Sequence, residues 1–245
     1  MKLSGRFSEA LVYATELHAD QRRKISGVPY VSHLLRVAGI AIGHGADEDE
    51  AIAALLHDAV EDQGGARVRE EIRRRFGDRV VEIVDGCTDS DRHPKPPWRA
   101  RKKAYLARLK RASPSVRLVS ASDKLDNSRS VLLSYRWLGE SLWEKFAGGR
   151  DGVLWYYRSV VEILKQAGAN ELVDELDRVV SELERTVAQA SGEREKAEPE
   201  KKTAPRKKPA KVEKRAKAKR TAKKRSVAKR GKTKTKKKAA VKKSS

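Results

Sequence analysis

Apolar residues return at every third or fourth position along most of the chain up to about residue 190, the spacing that gathers them on one face of a helix. On that pattern a first helix is predicted over 8–19, with Ala10, Leu11, Ala14 and Leu17 on one side. A second is predicted over 31–43, where Leu34, Val37, Ala38 and Ala41 surround His33 with apolar neighbours. Residues 20–30 form a basic loop between them, closed by Gly27 and Pro29. Asp47 followed by Glu50 has the form of a capping box. The helix it opens is read as running unbroken to Asp62, before Gly64 and Gly65 stop it. Further helices are predicted over 67–76, 78–88, 98–112, 115–135, 140–146, 152–167 and 170–189, with Ser113-Pro114 as N-cap and first-turn proline of the long one. No stretch of useful length alternates as a strand does, so the predicted fold is all-α, a multi-helix bundle.

Charge divides the chain in two. Residues 193–245 hold 25 Lys and Arg against 5 Glu, which is +20 of the formal +22. The preceding 192 residues are close to neutral, at 31 basic against 29 acidic, and are long enough for a sizeable core. From Gly192 onward the large apolar residues disappear, and a segment of that composition cannot bury enough surface to offset its ordering, so 192–245 is expected to be a disordered tail. Cys87 is the one cysteine, which excludes an intrachain disulfide and suits a cytoplasmic setting. The start of the chain lacks the apolar run of a signal peptide, and nothing approaches the ~20 apolar residues of a membrane span.

Three places set a ligand-type side chain among apolar neighbours: His33, the His57-Asp58 pair, and Asp123 within Val116-Arg-Leu-Val-Ser-Ala-Ser-Asp123. Two imidazoles and two carboxylates suit Mn²⁺, Fe²⁺ or Co²⁺, or Zn²⁺ with open positions, and the lack of thiolates argues against a closed structural zinc site. Glu61 lies one turn beyond His57 and Asp62 one turn beyond Asp58. Taken singly, each has a plainer reading: a helix-start histidine, an aspartate paired with Lys124, solvated acids ahead of a glycine stop. His18, His44 and His93 repeat no ligand pattern. Trp98, Arg101, Lys102 and Lys103 read as a solvated basic face, ahead of a border to the pocket, and Trp155-Tyr156-Tyr157 as packing ahead of a base-stacking platform.

Taken together, Arg23-Lys-Ile-Ser-Gly-Val-Pro-Tyr-Val-Ser-His33, Leu55-Leu-His-Asp-Ala-Val-Glu-Asp62 and Ser122-Asp-Lys-Leu-Asp-Asn-Ser-Arg129 resemble the HD superfamily of metal-dependent phosphohydrolases. Within it they are most similar to the hydrolase domain of Rel/SpoT alarmone enzymes and to small alarmone hydrolases. The resemblance implies an HD domain over 1–168, followed by an amphipathic helix over 169–191 and the tail. It implies that His33, His57, Asp58 and Asp123 hold a divalent metal, normally Mn²⁺, and that Glu61 and Asp62 position and activate the attacking water. Arg23, Lys24 and Asn127 match nucleotide-contacting positions, and Arg129 and Ser130 fall near where the family has groups for the phosphates. The family's third segment commonly ends Leu-His-Asn, whereas this chain has Leu125-Asp126-Asn127. The added charge of Asp126 is expected to be offset by Lys124 and Arg129.

The implied activity is Mn²⁺-dependent removal of the 3′-pyrophosphate of ppGpp or pppGpp, giving GDP or GTP and pyrophosphate, without alarmone synthesis. Two other readings stay open: an HD hydrolase of another nucleotide, NADPH or ppApp, and a nucleic-acid-binding protein whose helical body is a scaffold or sensor. The tail resembles linker-histone tails and those of some nucleoid proteins. A flexible polycation binds DNA or RNA backbone without reading bases, which would place the protein at the nucleoid; no membrane partner is expected, and the oligomeric state is not legible.

Overall fold

The computed structural model describes residues 2–90 and 94–197. His93 and tail residues 198–245 lie outside the described residues. Helices α1 (Gly5–Leu17), α2 (Val31–Gly43), α3 (Glu48–Leu56), α4 (Ala59–Gln63), α5 (Gly65–Phe76) and α6 (Asp78–Cys87) come first. They are followed by α7 (Trp98–Leu109), α8 (Pro114–Leu138), a 3₁₀ turn at Gly139–Lys145, α9 (Gly149–Ala167) and α10 (Glu171–Ala197). Among the described residues there is no strand, only an isolated bridge between Arg22 and Pro29 within the basic loop. None of the described helices is long and apolar enough to cross a membrane.

The termini follow from local chemistry. The Asp47 carboxylate accepts from the Glu50 N–H at 3.0 Å and the Glu50 carboxylate accepts from the Asp47 N–H at 2.8 Å, the reciprocal box the sequence suggested. Ser113 caps α8 through the Val116 N–H, with Pro114 at the first position. The stretch 140–146, read as a helix, is instead a 3₁₀ turn. The helix read as continuous to Asp62 is broken at His57-Asp58. Asp58 sits at φ −97°, ψ −4°, at the bridge edge of the helical region, and the His57 ring bonds back to the Ala54 carbonyl at 2.9 Å.

The described body holds two apolar cores. One is built from α1, α2, α3, α5 and α6 with the first turns of α8; the other from α7, the rest of α8, α9 and α10. Ala51 to Leu56 are all fully buried, so α3 beyond its acidic first turn is a core helix apolar on every side. Each buried leucine of this kind contributes about 1.5–3 kcal/mol. Helix α8 forms a wall of both cores, with Val116 and Val119 in one and Leu125, Val131 and Leu132 in the other. Where α8 passes between them it carries buried polar side chains, Ser120, Ser122, Asp123, Asp126 and Ser128. The hydroxyls of Ser122 and Ser128 are satisfied by carbonyls of their own helix, at 2.9 and 3.1 Å. The two aspartates need partners from elsewhere, and they find them at the site.

Candidate metal centre and its cleft

His33 enters from the first turn of α2, His57 and Asp58 from the α3–α4 break, and Asp123 from mid-α8. The His57 Nε2 is 3.1 Å from Asp58 Oδ2 and 3.5 Å from Asp123 Oδ1; the His33 Nε2 is 3.6 Å and 3.3 Å from the same two oxygens. The two rings stand edge-on, with centroids 5.2 Å apart. Each imidazole is held through its other nitrogen: His33 Nδ1–H donates to Asp126 Oδ2 at 2.6 Å, and His57 Nδ1–H to the Ala54 carbonyl. Both Nε2 atoms are buried without a hydrogen-bond partner. Potential ligand atoms of His33, His57 and Asp58 all lie within 4.8 Å of one another.

Such a nest of orphaned lone pairs facing carboxylates is costly on its own and is what a divalent cation relieves. The N/O donor set fits the metal that the chain's chemistry implies. Without a cation, protons take up part of the charge. Burial alone would depress His33, but the carboxylates of Asp123, Asp126 and Asp58 around it carry its pKa up to about 9. Burial likewise lowers His57, and the neighbouring carboxylates of Asp58, first, and Asp123 raise it well above the ordinary value. Burial pushes Asp58 and Asp123 up, yet His57 beside Asp58 and Lys124 beside Asp123 hold both well below the usual carboxylate range.

Beside these four side chains lies a small pocket of about 180 Å³ lined by Asp58, Glu61, Asp62, Asp89 and Asp123, against Lys102 and Lys124. Glu61 accepts from Lys95 Nζ at 2.8 Å and from the Asp89 N–H at 2.9 Å. Asp62 accepts from Gln21 Nε2 at 2.9 Å. Burial, then the nearby charge of Asp58, lifts Asp62 to about 6, with Gln21 and Lys95 pulling the other way. Through Tyr30, Asp62 and Asn127 this pocket adjoins a cleft of about 710 Å³ whose walls carry Arg22, Arg23, Lys24, Arg36 and Arg129 against Asp62 and Asp126.

Arg23, Lys24, Asn127, Arg129 and Ser130 all line that cleft. Arg23 donates to Asn127 Oδ1 at 2.7 Å, and Asn127 donates to Asp123 Oδ1 at 2.5 Å, a chain from the cleft wall to the metal centre. Lys24 donates to the Lys145 carbonyl, Arg129 is paired with Glu175 of α10, and the Ser130 hydroxyl donates to the Asp126 carbonyl at 2.9 Å.

Several expectations change. Asp126 is not offset by Lys124 and Arg129, which pair with Asp123 and Glu175; Arg36 takes that place, its Nε 2.5 Å from Asp126 Oδ1. Arg101 and Lys102 are not solvated: both side chains are largely covered and both pair with Asp89. Tyr156 lines the inner pocket and Tyr157 the cleft, in addition to packing. Sequence reasoning also passed over Tyr30, whose hydroxyl donates to Asp58 Oδ2 at 2.6 Å, and Gln21, which links His18 to Asp62. Only Tyr30 carried a signal, lying in the segment that leads to His33.

An HD-domain family model matches residues 10–154. The chain is 32% identical over 172 residues to guanosine-3′,5′-bis(diphosphate) 3′-pyrophosphohydrolase MESH1 of Drosophila melanogaster, covering 68% of this chain and 89% of that protein. It is 38% identical over 122 residues to the guanosine-3′,5′-bis(diphosphate) 3′-pyrophosphohydrolase of Aquifex aeolicus, where the match takes in 50% of this chain but only 17% of the relative's length. Among solved structures, a metazoan ortholog of SpoT that hydrolyzes ppGpp superposes with a TM-score of 0.63 at 30% identity, over 76% of this chain and 99% of that one. The chain belongs to the HD-domain family, and its relatives are of the MESH1 and SpoT type.

Proposed function

We propose that this protein is a metal-dependent phosphohydrolase that removes the 3′-pyrophosphate of ppGpp or pppGpp, releasing GDP or GTP and pyrophosphate. The observation that carries the reading is the pair of buried, partnerless Nε2 atoms facing Asp58 and Asp123 at the inner end of a basic cleft. It is supported by the relatives of the same fold that are named for this hydrolysis.

In this reading His33, His57, Asp58 and Asp123 hold the ion, which we take to be Mn²⁺. A divalent ion supplies a lowered pKa for bound water and polarises a phosphoryl oxygen. Arg23 and Lys24 bind the nucleotide's phosphates, with Arg129 and Ser130 on the same wall, since guanidinium forks match phosphate oxygens. Asn127 contacts the nucleotide and keeps Asp123 oriented. Glu61, steadied by Lys95 and the Asp89 N–H, stands with Asp62 to orient the water and take its proton. In the hydrolysis the bond between the ribose 3′-oxygen and phosphorus breaks, the hydroxyl of water joins phosphorus, and the released 3′-oxygen gains a proton.

The test is pyrophosphate release from ppGpp with Mn²⁺ and with chelator, beside Asp58→Ala. Release that needs metal and disappears in the variant is expected. Turnover that persists in chelator overturns the metal dependence, and a metal-loaded protein that leaves ppGpp intact while hydrolysing NADPH or ppApp overturns the substrate assignment.

The basic tail we assign to non-specific binding of DNA or RNA backbone, on its charge alone, and with it a nucleoid-associated place in the cytoplasm. Deleting 192–245 is expected to leave pyrophosphate release unchanged and to abolish salt-sensitive retention on DNA-cellulose. Retention that survives the deletion would move nucleic-acid binding to the helical body.

A further inference from the structure

The two imidazoles of the metal centre are oriented by unlike acceptors. His57 leans on a neutral carbonyl, that of Ala54 at 2.9 Å, within its own helix segment. His33 leans on a full carboxylate, Asp126 Oδ2 at 2.6 Å, from a helix distant in sequence. Asp126 is itself buried, at 3% exposure, where an unpaired carboxylate would be costly. Its second oxygen receives Arg36 Nε at 2.5 Å, and Arg36 Nη2 lies 3.3 Å from Oδ2. Arg36 stands one turn after His33 on α2, so the helix that presents the imidazole also presents the cation that neutralises its carboxylate. Asp126 occupies the position where the chain departs from the commoner histidine of its family's third segment.

We infer that Asp126 is a positioning residue for the metal centre. It fixes His33 in the tautomer with hydrogen on Nδ1, aims the Nε2 lone pair at Asp58 and Asp123, and strengthens it as a donor, with Arg36 holding the carboxylate in register. A carboxylate behind a ligating imidazole has this effect in metal sites generally, and its loss weakens metal binding by about 10–100-fold. The inference rests on the proposed metal site and on nothing about the nucleotide.

Its test is metal binding without nucleotide: Mn²⁺ affinity by competition with a chelating indicator, and the visible absorption of the Co²⁺-loaded protein, for wild type, Asp126→Asn and Asp126→Ala. Asp126→Asn keeps the shape and one acceptor oxygen, so it carries the test if the alanine variant fails to fold. Asparagine is expected to weaken Mn²⁺ binding about tenfold, alanine by up to about a hundredfold, with a shifted Co²⁺ band in both. Affinity within twofold of wild type, with an unaltered Co²⁺ band and only a lower melting temperature, overturns the inference and leaves Asp126 as the ion-pair partner of Arg36. Weakened binding in a protein that does not hydrolyse ppGpp sustains the inference while the substrate assignment fails; absence of metal binding by the wild type overturns both.

Discussion

Replacing His57 by alanine is expected to abolish stoichiometric metal binding and to lower pyrophosphate release by about three decades or more, equivalent to about 4 kcal/mol of transition-state stabilisation. The size follows from the geometry. His57 Nε2 faces both carboxylates of the centre, at 3.1 and 3.5 Å. The variant is also expected to lose stability without metal. His57 is 2% exposed and supplies the positive charge that holds Asp58 low, so its removal leaves a half-buried carboxylate poorly compensated, at a cost of about 1–3 kcal/mol. Equilibrium dialysis and urea unfolding, run on the same preparation, check the two effects separately. Retained metal with full turnover would remove His57 from the ligand set.

Metal affinity is expected to climb steeply with pH. In the metal-free protein His33 keeps its proton up to about 9 and His57 is likewise raised, whereas a ligating imidazole must offer an unprotonated Nε2. Binding therefore displaces a proton from each ring. Below both pKa values the apparent affinity rises about a hundredfold per pH unit, flattening as pH passes about 9. Stability of the metal-free fold runs the opposite way. The raised pKa of His33 contributes stability fully below 6.5, the ordinary histidine value, and that contribution is lost as pH climbs through about 9. Calorimetric titrations in buffers of different ionisation enthalpy count the protons; release of two is expected near neutrality, and release of none would mean that the imidazoles are not displaced.

How much of this was legible beforehand depends on the range over which each signal acts. Local signals read true: the Asp47–Glu50 box, the Ser113-Pro114 start and the limits of α2 each rest on residues within one turn of one another. The break at His57-Asp58 was hidden because Leu55, Leu56, Ala59 and Val60 keep helical spacing straight through it, so the apolar pattern is the same for a bent core helix and a continuous one. The candidate metal residues stood out because charge among apolar neighbours is conspicuous. Their supports did not. Asp126 and Arg36 are 90 positions apart, and only the crossing of α2 with α8 makes them partners. Lys102 looked like one more base on a basic helix, because its burial depends on Asp89 and on Tyr156, whose ring lies 4.7 Å from its ammonium.

The two adjoining cavities differ in sign. The outer one has five cationic side chains against two carboxylates, and the inner one five carboxylates against two lysines, with Tyr30, Asp62 and Asn127 common to both. In the proposed reaction the outer walls favour an anionic nucleotide and the inner walls a cation, so the two cavities sort their guests by charge before either is recognised by shape.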